Sequence, residues 1–208
     1  MTIPTLAAGI QKQKIETQVK ADYSVIQQTM RFMEYDDGGF YSLKDHDTAA
    51  TYEWFKNNIL SHLKVSHVCY NQAGCWHKPN VVKDLNGAKF LYDLPAGPGL
   101  NVITFVHPNG SYFSLDIWDG LASLKDRFGI DSKVNVLLIL IDVNGAVKPN
   151  VIGKDIYIMA WTENGLVPAG ADKTSQEVRN NCLQGNGYWC LKHVINSGWK
   201  IDDKVWRH

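Results

Sequence analysis

The chain lacks an excess of charge of either sign, a long apolar run, and every compact catalytic signature. Lys+Arg and Asp+Glu are 21 each, for a formal net charge of +0. Phosphate recognition needs a basic surface, so nucleic acid is not an expected partner. No stretch approaches the roughly 18 consecutive apolar residues that span a bilayer, and Val134 to Val143 is too short. A cleavable signal peptide is missing as well. There is no H-E-x-x-H, G-x-S-x-G or serine-lysine signature, and Gly97-Pro98-Gly99 lacks the Lys-Ser/Thr of a phosphate loop. Paired acids such as Asp36-Asp37 and Asp202-Asp203 lie in Gly-rich or terminal segments, where solvation is the default. His62 and His67 are five apart, off a common helical face, and His77 beside Cys75 reads as a surface imidazole. An enzyme is therefore not expected.

Cysteine is scarce, with four residues in two close pairs. Cys69 and Cys75 bracket Tyr-Asn-Gln-Ala-Gly, and Cys182 and Cys190 bracket Leu-Gln-Gly-Asn-Gly-Tyr-Trp. Neither has the C-x2-C spacing of a zinc knuckle or a redox site, and each interval contains glycine that lets it fold back. Two local disulfides and an oxidising compartment are the reading adopted. A four-cysteine zinc site split across the chain and four buried thiols are the alternatives.

What is present is a long helix. Nothing breaks residues 10 to 37, and Val19, Tyr23, Ile26, Met30 and Met33 recur in steps of four and three. That spacing makes one narrow apolar seam. Gln18, Lys20, Asp22, Gln27, Gln28 and Arg31 are assigned to the opposite face. Asp36-Asp37-Gly38-Gly39 ends the helix, and Asp47-Thr48 caps a second one with a stripe of Ala50, Trp54, Ile59 and Leu63. Strand patterns follow. Ala88 to Leu94 is short and mixed; Val102 to His107 and Ser111 to Trp118 flank a Pro108-Asn109-Gly110 turn as a hairpin. Val134 to Asp142 suits a strand buried on both faces, Asn144-Gly145 turns the chain, and Asp155 to Trp161 returns. The tail from Gly165 reads as loop-rich and carries the second cysteine pair. One helix followed by an antiparallel sheet is an α+β order in which the helical seam covers a sheet face.

The opening string MTIPTL, the Lys/Gln-rich turn Gln11-Lys12-Gln13-Lys14 and Tyr23-Ser-Val-Ile-Gln-Gln28 resemble the N-terminal helix of type IV pilin-like proteins. The segments from Ile141 to Ile156, together with Gly-Tyr-Trp-Cys-Leu and Val-Ile-Asn-Ser-Gly-Trp199, resemble a recurrent ending of pilins and type II secretion pseudopilins. Recognisable segments cover about a third of the chain, and residues 36 to 130 match nothing in that family. The leader, the cleavage-site glycine, the methylated first residue and the nearby glutamate of the family are not in this sequence. The resemblance implies a truncated N-terminus and a pilin-like fold, with residues 1–35 as the helix and 36–208 as an α+β head with disulfide-closed loops. It further implies a structural subunit of a pilus or secretion pseudopilus. The assembly helix would use Leu6, Ile10, Val19, Tyr23, Ile26, Met30 and Met33, with Lys12, Lys14 and Lys20 near the inter-subunit surface. Partners would be homo- or hetero-polymeric pilin-like subunits and, through a missing apolar segment, the inner membrane. The location would then be a periplasmic or extracellular filament, with the truncated form soluble.

Two further expectations concern ligands. Asp142, Asn144 and Asp155 offer oxygens to a calcium ion, an expectation raised by calcium sites among pseudopilins, although Ala146 and Lys148 break an EF-hand. The competing reading is an Asn-Gly turn between strands. Of seven tryptophans, Trp76 and Trp189 lie in or beside the cysteine loops. They are either a contact surface or packing that secures loops on the sheet. A contact surface would make the chain a secreted adhesin or carbohydrate-binding module, the alternative to a filament subunit.

Overall fold

The computed structural model describes residues 3–37 and 48–207. The expected loop beyond Asp37 and the Asp47 cap fall outside them. Helix α1 spans Ile3–Asp37, 35 residues, or about 52 Å at 1.5 Å per residue. Helix α2, Thr48–Trp54, continues through one wider turn, Phe55–Ile59. Phe55, Ile59 and Leu63 face the core, whereas Ala50 is exposed. The wider turn shifts the buried stripe onto Phe55, which corrects the expected register.

Six antiparallel strands form one sheet in the order β1-β4-β5-β6-β7-β8. They are β1 His67–Tyr70, β4 Ile103–Val106, β5 Tyr112–Trp118, β6 Val136–Asp142, β7 Ile156–Thr162 and β8 Gly165–Pro168. Strands β2, Asp93–Leu94, and β3, Gly97–Pro98, make a separate ladder of two residues each. The expected strand from Ala88 is thus reduced to its last two residues. The β4–β5 hairpin closes as read, with Val106 opposite Tyr112 and Gly110 at φ 93° in its turn. Every residue of β6 and β7 is buried, so both faces of the sheet centre are covered.

Side chains alternate between two cores. Phe105, Phe113, Leu115, Ile117, Ile139 and Met159 join α1 and α2 on one face. Leu138, Leu140, Ile158 and Ala160 meet Trp76, Phe90, Phe128 and Tyr188 on the other. Residues Leu121–Ser123, designated α3, run on into a wider turn, Leu124–Phe128, that lies in this second layer. The tail is not loop: it carries β8, α4 (Ser175–Gln184), α5 (Cys190–Asn196) and α6 (Asp203–Arg207). Thr174 and Glu177 form a reciprocal capping box that starts α4. The fold is α+β, a long N-terminal helix on an antiparallel sheet with two disulfides. Among the described residues no helix is long and apolar enough to cross a membrane.

Candidate functional site

Helix α1 is the candidate site, and it splits along its length and around its axis. Ile15, Val19, Ile26, Met30 and Met33 are buried against the sheet, and Tyr23 packs partly buried beside them. Leu6 and Ile10 are 57% and 59% exposed. At 3.6 residues per turn they lie about 180° around the helix from the seam. The set expected to act as one assembly surface is therefore two surfaces, an inner stripe holding the head and an outer apolar pair.

Carboxylates fix the inner stripe. Asp22, placed on the polar face by its charge, is fully buried; it falls on the stripe between Val19 and Ile26. Ser111 Oγ donates to its Oδ2 at 2.6 Å and Asn109 Nδ2 to its Oδ1 at 2.7 Å, both from the β4–β5 turn. Gln18 Nε2 adds a third bond at 3.2 Å. Burial raises the Asp22 pKa, and these donors hold it back. One turn and a half earlier, Glu16 is also buried and accepts from Ile201 N at 3.0 Å and Lys200 Nζ at 2.8 Å. At the other end Trp161 Nε1 donates to Glu34 Oε1 at 2.9 Å. Lys12 is not on a free surface: it pairs with Asp203 of α6. Lys14 and Lys20 are exposed. Asp22 and Glu16 were missed because charge outweighed position, although the 3.6-residue period passes through Asp22.

The Asp142–Asn144–Asp155 set does converge, as a hydrogen-bonded turn. Asp142 Oδ2 lies 2.6 Å from His77 Nε2, and its Oδ1 accepts from Asn144 N at 3.1 Å. Asp155 accepts from Asn150 N and Val151 N at 2.8 and 2.7 Å. Both carboxylates are fully buried, and burial raises both pKa values; His77 opposes this at Asp142, whereas the Asp142 charge adds to it at Asp155. Protein donors thus engage the oxygens of both carboxylates, whereas the buried Asn144 Oδ1 has no hydrogen-bond partner among the described residues. His77 is buried rather than at the surface, held between Asp142 and the rings of Trp76 and Tyr112.

Both cysteine pairs are bonded. Cys69 of β1 joins Cys75, and Cys182 of α4 joins Cys190 of α5. The one cluster of three metal-ligating residue types among the described residues is His67, Cys69 and Cys75, and its two sulfurs are bonded to each other. Trp76 is buried in the second core, which corrects its placement on a contact surface. Trp189 is half-buried: its Nε1 donates to Arg127 O at 2.9 Å, and Lys173 lies over its ring. Both tryptophans secure loops on the sheet.

No protein-family model, curated protein or solved structure matches this chain.

Proposed function

We propose that this chain is a structural subunit of a type IV pilus or type II secretion pseudopilus, assembling through α1. The observation that carries the reading is the division of labour on that helix. Its inner stripe from Ile15 to Met33 is consumed by the head, while Leu6 and Ile10 present apolar side chains outward. A helix with a buried face and a second apolar pair has something left to pack against, and neighbouring copies of the same helix are the occupant that the resemblance supplies. Tyr35, also exposed on that outer side, extends the apolar contact at the far end. Two short-range disulfides suit a head that works outside the reducing cytoplasm. In this reading an apolar segment continuous with α1 anchors the subunit in the inner membrane before assembly.

Against the binding-module alternative stand the burial of Trp76 and the bond from Trp189 Nε1 to Arg127 O. The test of the filament reading is the N-terminal peptide mass of the native gene product, together with recovery of sheared filaments. A methylated first residue followed by about twenty apolar residues running into MTIPTL, and filaments lost on Leu6→Asp/Ile10→Asp, is the expected result. A native chain that starts elsewhere and filaments indifferent to both changes would overturn it.

A further inference from the structure

On the sheet face away from α1, β5 carries Ser114, Asp116 and Trp118 in alternation with the core-facing Leu115 and Ile117. Asp116 is only 5% exposed, and its carboxylate makes no hydrogen bond among the described residues. A buried carboxylate without a donor is unfavourable unless it takes up a proton or finds a cation. Burial, with the Asp119 charge adding to it, pushes the Asp116 pKa up to about 8.

This carboxylate lines a cleft of about 320 Å³, the lower end of the range for small-molecule sites. Leu91, Leu94 and Leu100 form an apolar rim, and Leu91 and Leu100 are each 66% exposed. Tyr92 and Trp118 stand edge to face with centroids 5.1 Å apart. Their polar tips are already engaged: Trp118 Nε1 donates to Gly120 O at 2.9 Å, and Tyr92 Oη accepts from Arg127 at 2.9 Å. The guanidinium of Arg127 lies 5.7 Å from the Tyr92 ring centroid, and Asp119 also lines the cleft. Gly99, at φ 127°, brings the covering loop down onto Asp116, where any Cβ would collide with Oδ2.

We propose that this cleft binds a small alkylammonium ion, its charged head on Asp116 and its apolar stem against Tyr92, Trp118 and the leucine rim. Charge complementarity selects the occupant. An ionised Asp116 accepts and cannot donate, so it needs an N–H donor carrying positive charge, and aromatic walls add attraction for a cation. The inference does not rest on the filament reading, and the two can fail separately.

Titration of the purified chain with n-hexylammonium chloride, followed by calorimetry and amide chemical shifts, tests it. Saturable binding at or below about 1 mM at pH 8 is expected, weakening more than about tenfold at pH 6 because Asp116 must then lose its proton to bind. 1-Hexanol should bind more weakly and without that pH dependence. Asp116→Asn should abolish the pH dependence and weaken binding more than tenfold. Leu100→Ala, an exposed change that leaves folding intact, should weaken it several-fold. No saturable binding by the wild type, equal affinity for hexanol, or an unaffected Asp116→Asn variant would each overturn the proposal.

Discussion

Ser111 Oγ and Asp22 Oδ2, 89 positions apart in the chain, lie 2.6 Å from each other and tie the middle of α1 to the β4–β5 turn. Because Asn109 and Gln18 donate to the same carboxylate, removing it takes the acceptor from the buried Ser111 hydroxyl and from two amides at once. Asp22→Ala should therefore cost about 2–4 kcal/mol in urea unfolding. Asp22→Leu combined with Ser111→Ala should recover much of that, since an apolar pair leaves fewer unmet bonds. Equal midpoints for wild type and Asp22→Ala would show that the stripe alone holds the helix.

The two faces of α1 should separate in a stability assay. Ile26→Ala removes a side chain that is fully buried and is expected to cost about 2–4 kcal/mol. Leu6→Ala and Ile10→Ala should each change unfolding by less than about 0.5 kcal/mol, as surface changes do. A large loss from either outer substitution would place Leu6 or Ile10 in the fold of the isolated head.

Asp116, with its pKa pushed up to about 8, and Asp84, pushed up to about 6 by burial, set the direction of pH dependence. Each binds its proton more tightly folded than unfolded, so each contributes stability that is full below about pH 4. That contribution declines as pH rises to the folded value. The protein should melt at a higher temperature at pH 5 than at pH 8. Asp155, pushed up to about 7 by burial and the Asp142 charge, adds to the slope up to that pH, so Asp116→Asn should remove up to about 1.4 kcal/mol per pH unit and flatten the profile chiefly between about pH 7 and 8. A melting temperature that rises steadily through this range would contradict the assignment.

The Cys182–Cys190 bond joins α4 to α5 beside Gly153, where a Cβ would strike the Cys190 sulfur. Cys182→Ser/Cys190→Ser should lower stability by about 2–3 kcal/mol, the range for a short closed loop. Mild reduction of the wild type should give the same shift only if the Cys69–Cys75 bond survives it, which mass mapping of alkylated thiols will show.

Period-driven features were legible in advance. The α1 seam, the β4–β5 hairpin and the fully buried β6 follow from spacings that one residue type dominates. Where position and chemistry disagree, chemistry misleads: Asp22 sits on the apolar stripe although its charge points to the other face. The helices of the tail were hidden for another reason. Only Val178 and Cys182 are buried in α4, so its periodic signal is faint, and the Thr174–Glu177 capping box was the cue. The cover of the second sheet face has no period at all. Trp76, Phe90 and Tyr188 come from irregular backbone and Phe128 from one wide helical turn, and tertiary packing alone brings them together. Asp116 carries no signal of its own in the sequence, because nothing local to β5 announces the loop that closes over it.

An apolar stripe by itself lets a helix slip by a turn along its groove, since one leucine-sized knob fits the next hole nearly as well. The contacts of Glu16 with Lys200 and Ile201, of Asp22 with the hairpin turn and of Glu34 with Trp161 remove that freedom, because a shift by one turn would carry each carboxylate away from its donors. A pull along the axis of α1 is then shared by three separated attachments that must yield together. Traction on the helix is thus spread over β7, the β4–β5 turn and the segment that leads into α6.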